Sequence, residues 1–148
     1  MKNIIVLSLL FITSTSFANC VDLSGTYQCI ENGLNTTEKR TMQKSNSGKL
    51  SILKTESQIH WKSGISSLIS NNSRKYDGEI VHSNFWGEPA EYVYTCSKNE
   101  LIELMKVASD NLETIKVDRK TKDGFISAYL LDDGTIKVYK SCEKIEPE

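Results

Sequence analysis

Residues 125–142, FISAYLLDDGTIKVYKSC, decide how this chain folds. Phe125–Leu131 and Thr135–Cys142 are rich in β-branched and aromatic residues, the types that suit a pleated, half-buried surface. Between them Asp132-Asp133-Gly134 is a turn whose glycine accepts positive φ. Ile136, Val138 and Lys140 oppose Thr135, Lys137 and Tyr139, the period of two that belongs to a strand. Two strands linked this tightly can only be antiparallel, so the segment reads as a β-hairpin.

The same grammar repeats upstream. Asn32-Gly33, Ser47-Gly48, Asp77-Gly78 and Asp123-Gly124 are further turn dipeptides that permit positive φ. Strand-like runs lie between them at Thr26–Ile30, Leu50–Thr55, Gln58–Lys62, Tyr76–His82, Glu91–Cys96 and Glu113–Arg119. Tyr27 and Cys29 share one face of their strand, as do Tyr92, Tyr94 and Cys96 of theirs. Leu101–Ala108 can be read two ways. Leu101, Leu104, Met105 and Ala108 fall at helical spacing behind a Ser97-to-Glu100 capping pattern, whereas the hairpin-length links on either side favour a strand. Ile65–Ile69 reads as a short helix or irregular segment. About eight short strands in a meander must close into a barrel or pack as two sheets. Closure removes exposed edges, so the expected fold is an all-β, antiparallel up-and-down barrel, with a two-sheet sandwich as the alternative.

The N-terminus reads as a cleavable export signal. Lys2 supplies the positive start, Ile4–Ile12 an apolar run, and Ser16-Phe17-Ala18 small residues at −3 and −1, so cleavage is expected after Ala18. Asn19 before Cys20 argues against a lipid anchor, and the apolar run is too short to span a bilayer. Residues 19–148 then form a single domain. They carry 17 Lys and Arg, since Lys2 leaves with the signal, against 19 Asp and Glu. That balance, with its basic pairs scattered, gives no footprint for nucleic acid.

All four cysteines, Cys20, Cys29, Cys96 and Cys142, lie after the signal, which in an exported chain of this size implies disulfides. In an even-stranded meander barrel the end of the last strand meets the start of the first. This reasoning favours Cys20–Cys142 with Cys29–Cys96 among the three possible pairings.

Leu23-Ser24-Gly25-Thr26-Tyr27 resembles the first strand of the lipocalin-like (calycin) barrels, with Tyr27 where that family carries Trp in its Gly-x-Trp signature. The resemblance implies that Gly25 admits close backbone approach and that Tyr27 plugs the closed end. The family's Thr-Asp-Tyr stretch and terminal-strand arginine are absent; Lys137, Lys140 and Lys144 are the bases there. That family often ties a middle strand to the C-terminal segment, which implies Cys96–Cys142 as the rival pairing. Tyr27-Gln28-Cys29 is also similar to the early Tyr-x-Cys of periplasmic lysozyme-inhibitor barrels, although Ser63-Gly64 and Tyr76 lack the spacing of their inhibitory Ser-Gly…Tyr loop.

No motif for catalysis or cofactor binding stands out. His60 and His82 sit in or beside strand-like runs without a nucleophile context, and Asp132-Asp133-Gly134 lacks the later ligands of a calcium loop. The expectation is a non-enzymatic protein with no cofactor and no metal. Its aromatic supply, Trp61, Phe85, Trp86, Tyr92 and Tyr94, points to a small, mainly apolar ligand in or at the mouth of the barrel. The alternative is an extracytoplasmic inhibitor of another protein, using a Phe85-Trp86 loop within residues 82–89. Oligomeric state is left open.

Overall fold

The computed structural model of the protein describes residues 20–44, 51–109 and 112–145. The signal segment 1–18 with its Ala18 cleavage point and the Ser47-Gly48 turn lie outside the described residues. Among the described residues ten strands form one sheet: β1 (Gly25–Glu31), β2 (Leu34–Lys44), β3 (Ser51–His60), β4 (Ser66–Tyr76), β5 (Ile80–Phe85), β6 (Glu88–Cys96), β7 (Glu100–Val107), β8 (Leu112–Lys120), β9 (Gly124–Leu130) and β10 (Ile136–Ile145). Their spatial order is β4-β3-β2-β1-β10-β9-β8-β7-β6-β5, every neighbouring pair antiparallel. The protein is therefore an all-β up-and-down sheet in which first and last strands are partners.

The sheet rolls on itself without closing through hydrogen bonds. β4 and β5 remain edges, and β4 instead reaches β6 through side chains: the Tyr76 and Tyr94 rings lie 5.8 Å apart at 64°. One backbone bond, Gly78 N–H to the Tyr94 carbonyl at 3.0 Å, pins the β4–β5 turn to β6.

Ten strands replace the expected eight because β2 and β4 are polar on both faces. Their alternation of hydrophobicity is absent, so residues 34–44 and 66–75 carried no strand signal, and all but Ile65 of the expected helix or irregular segment at 65–69 is part of β4. The runs expected at 50–55 and 58–62 merge over Ser51–His60 into one strand, β3, with a register shift between Ser57 and Gln58. Tyr76–His82 is broken by the Asp77-Gly78 turn, and residues 82–89 form a tight hairpin, not a loop. Trp86 and Gly87 turn it, with φ of 51° and 84°. Leu101–Ala108 is a strand, as the link lengths suggested. Its helical spacing arises because β7 is apolar on both faces: Leu101 and Met105 point inward, Ile102 and Leu104 outward. Asp123-Gly124 does not use positive φ. Gly124 is needed there because a Cβ would collide with the Cys142 carbonyl.

Both disulfides differ from the expected pairing. β1 and β10 do meet end to start, but Ile145 is the residue opposite Thr26, which sets Cys142 directly across from Cys29. These two are bonded, with Cα atoms 4.1 Å apart. Cys20 precedes β1 and follows a path of its own across one end of the barrel, where the Val21 N–H bonds the Ser97 carbonyl at 2.9 Å and Cys20 is bonded to Cys96. The Cys96–Cys142 alternative fails for the same reason.

That end is sealed by Val21, Leu23, Tyr27, Leu101 and Phe125, all nearly inaccessible. Tyr27 donates its hydroxyl to the Leu23 carbonyl at 3.0 Å and meets the Phe125 ring at 4.9 Å, edge to face. A Cβ at Gly25 would press on Lys144 Cε at 2.7 Å. The β1–β2, β3–β4, β5–β6 and β9–β10 turns, with Trp61 and Trp86 among them, lie at the opposite end.

Candidate functional site

Two different interiors share the rolled sheet. Behind the sealed end lies a buried charge cluster. Glu38 receives Arg40 and, at 2.7 Å, Lys140, while Arg40 also reaches Asp118 at 2.8 Å. The Arg40 guanidinium stacks 3.8 Å from the Phe125 ring centre. Burial pushes the Glu38 carboxyl up, but attraction to Arg40 and Lys140 outweighs it and leaves the group below its usual range. Asp118 behaves alike, with Arg40 and then Lys116 overcoming desolvation. A register shift between Val138 and Lys140 adds a residue to β10, and Tyr139 stacks on Tyr129 at 4.5 Å beside the inward Lys140. Lys140 also reaches Glu31 at 3.1 Å, and these paired charges form structure, not an accessible site.

Under the β4/β5 seam a cleft of about 560 Å³ opens. Two interior rows of cross-strand neighbours make its floor: Val81–Tyr92–Met105–Thr114 and Tyr94–Glu103–Lys116–Tyr129. Phe85 closes one side, and Asn72 and Arg74 of β4 the other. Tyr92 and Tyr94 stack at 6.3 Å and 11°, and the Arg74 guanidinium lies 5.7 Å from the Tyr94 ring centre. Burial, then the Glu103 charge, pushes the Tyr94 phenol up, so the hydroxyl stays protonated at neutral pH. Arg74 Nη2 lies 3.3 Å from Glu103 Oε2, an ion pair that is not aligned as a hydrogen bond, and Lys116 Nζ sits 5.6 Å from the Tyr139 ring centre. The cleft thus combines an aromatic wall with two cations and one anion, a lining suited to a ligand with an apolar body and a polar head.

Of the five aromatic candidates, the fold brings Phe85, Tyr92 and Tyr94 to the cleft and leaves two outside. Trp61 sits on the β3–β4 turn, with its indole N–H 3.2 Å from Ser67 Oγ, and Trp86 is 91 % exposed. The alternation of Tyr92 and Tyr94 was the legible signal. Arg74, Glu103, Lys116 and Tyr129 escaped notice because strand register alone unites them. His60 lies exposed between the Thr37 and Ser66 hydroxyls, and His82 faces Glu91 at 3.6 Å. At the β9–β10 turn the Asp133 carboxylate accepts the Thr135 N–H at 2.8 Å, and among the described residues no group of three metal-ligating side chains gathers.

The sequence matches no protein-family model and no curated protein. Among solved structures the fold is similar to the crystal structure of secretory abundant heat soluble protein 4 from Ramazzottius varieornatus. The TM-score is 0.56 at 16 % identity, over 84 % of this chain and 95 % of that one. That likeness is one of all-β fold. Two disulfides, with no free cysteine among the described residues, indicate an oxidising, extracytoplasmic setting. No helix among the described residues is long and apolar enough to cross a membrane.

Proposed function

We propose that this chain is a non-enzymatic binding protein, exported after cleavage near Ala18, that holds a small amphiphile beneath the β4/β5 seam. The observation that carries the reading is the cleft itself. Its volume of about 560 Å³ lies within the range of ligand pockets, roughly 300–1,000 Å³. Phe85, Tyr92, Tyr94 and Met105 would take an acyl or aromatic body, and Arg74 with Lys116 an anionic head. The ligand is thus more polar at one end than the aromatic composition alone implied. The lipocalin-like affinity rests on Leu23–Tyr27 and adds to the binding reading only by analogy.

Both tryptophans stand outside the cleft, so their fluorescence is a poor reporter. Amide and methyl NMR shifts on titration with long-chain carboxylates and an anionic naphthalene dye report directly. Binding should move Tyr92, Tyr94 and Met105 signals, and Ser83→Trp, which fills the cleft from β5, should abolish the shifts in a folded protein. If no amphiphile moved those signals, or Ser83→Trp left binding intact, the reading would fall.

Trp86 favours a second reading. An almost wholly exposed indole on a left-handed turn has the form of an anchor for another protein, as the inhibitor alternative requires. Loss of partner capture in Trp86→Ala, with the cleft still binding amphiphile, would separate the two.

A further inference from the structure

The outer face of β6–β10 carries a second surface, independent of the cleft. Along one register row Ile80, Val93, Leu104, Ile115, Leu130 and Ile136 are direct cross-strand neighbours over six strands. The next row runs Thr95, Ile102, Val117, Ala128 and Val138. This is an outward face, since the cross-barrel contacts of Arg40 and Arg74 are made by the alternate residues of the same strands. Ile80, Ile136 and Val138 are at least half exposed, Ala128 is buried among its neighbours, and the two rows line a shallow hollow of about 570 Å³. The outer face of β2 and β3, by contrast, presents Thr37, Lys39, Thr41, Lys54 and Glu56. Monomers rarely leave so continuous an apolar patch to water.

Charge at the patch borders indicates what covers it. On the outer face β7 reads Glu100, Ile102, Leu104, Lys106, and β8 reads Glu113, Ile115, Val117, Arg119. Each strand begins with an acid, ends with a base and is apolar between. In the antiparallel pair Glu100 stands beside Arg119 and Lys106 beside Glu113, with Arg119 Nη2 2.6 Å from Glu100 Oε1. A second copy laid face to face on a twofold axis therefore meets opposite charges. With the axis along the strands, Glu100 faces Arg119 of the other copy and Lys106 its Glu113. With the axis across the strands, Glu100 faces Lys106 and Glu113 faces Arg119. The patch is thus self-complementary in both senses, and an isologous interface demands self-complementarity.

We propose that the protein forms a twofold dimer through the outer face of β6–β10, with the apolar rows at the centre and these charges at the rim. Strand spacing and rise give a footprint of roughly 24 Å by 20 Å, about 500 Å² from each copy. The total of about 1,000 Å² reaches the size at which specific interfaces begin.

Sedimentation velocity from about 1 µM to about 500 µM should show a reversible dimer, and Leu104→Glu with Val117→Lys should make it monomeric at every concentration. A fourfold swap, Glu100→Lys, Lys106→Glu, Glu113→Lys and Arg119→Glu, preserves each cross-strand pair within the hairpin and so preserves the fold. It should form dimers with itself but, mixed with the wild type, give a heterodimer share several-fold below the statistical one, read by native mass spectrometry. A wild type monomeric throughout the range, a dimer surviving Leu104→Glu with Val117→Lys, or free mixing of swapped and wild-type chains would each overturn the proposal. So would a wild type that stays monomeric in solution and sediments with phosphatidylcholine vesicles, which would make the face a lipid-binding surface.

Discussion

The β1–β4 wall and the β6–β10 wall belong to one sheet and use their two faces in opposite ways. β2 is polar outside, with Thr37, Lys39 and Thr41, and polar inside, with Thr36, Glu38 and Arg40. β7 is apolar outside, with Ile102 and Leu104, and largely apolar inside, with Leu101 and Met105. The difference shows how the barrel divides its labour. The first wall delivers Glu38 and Arg40, which meet Lys140 and Asp118 of the second across the interior, and the second delivers most of the aromatic cleft and an apolar exterior. It also explains why alternation fails as a guide in β2 and β7, since a period of two is visible only where the faces differ.

The comparison breaks most severely at the seam joining the walls. The Cys29–Cys142 bridge ties β1 to β10 across a sequence separation of 113. Replacing both cysteines by alanine should lower the unfolding free energy by up to about 4–5 kcal/mol in the chain-entropy account. Urea denaturation measures it, and a loss below about 1 kcal/mol would mean that the β1–β10 hydrogen bonds hold the walls unaided.

Next in size is Glu38→Ala, which leaves Arg40 with Asp118 alone and Lys140 with the partly exposed Glu31 alone; the loss of a fully buried partner from both should cost about 3–5 kcal/mol. Glu56→Ala, on the outer face of the adjoining strand, should stay within about 0.5 kcal/mol. Comparable losses from the two would erase the distinction between the faces.

Acid sharpens the same contrast. Glu38 and Asp118 ionise more readily in the folded protein than in the unfolded chain. Their contribution is complete above the unfolded values of about 4, and is lost as pH falls through the lower folded ones. Stability should therefore hold above about pH 5 and drop below about pH 4, more steeply in the wild type than in Asp118→Asn. Parallel profiles from urea midpoints would remove Asp118 from the account.

The smallest effect is expected at the open end. Trp86→Ala should change stability by no more than about 0.5 kcal/mol, since its ring is almost wholly in solvent. Tyr27→Phe, at the sealed end, should cost about 1 kcal/mol through loss of the Leu23 hydrogen bond. A larger loss at Trp86 than at Tyr27 would reverse the assignment of sealed and open ends.

By itself the sequence determined the β class, the antiparallel meander, the C-terminal hairpin and the use of cysteines as bridges. These follow from local rules: turn glycines, β-branched runs and short links act over a few residues. It also singled out Tyr92 and Tyr94, whose alternation is local. Only the tertiary structure decided the register of β1 on β10, and hence which cysteines meet. It alone recruited the polar strands β2 and β4, placed the open seam between β4 and β5, and gathered Arg74, Glu103 and Lys116 around the tyrosines. Such partners come from strands far apart in the chain, and their choice is settled by cross-strand pairing and burial, energies that no single stretch of sequence contains.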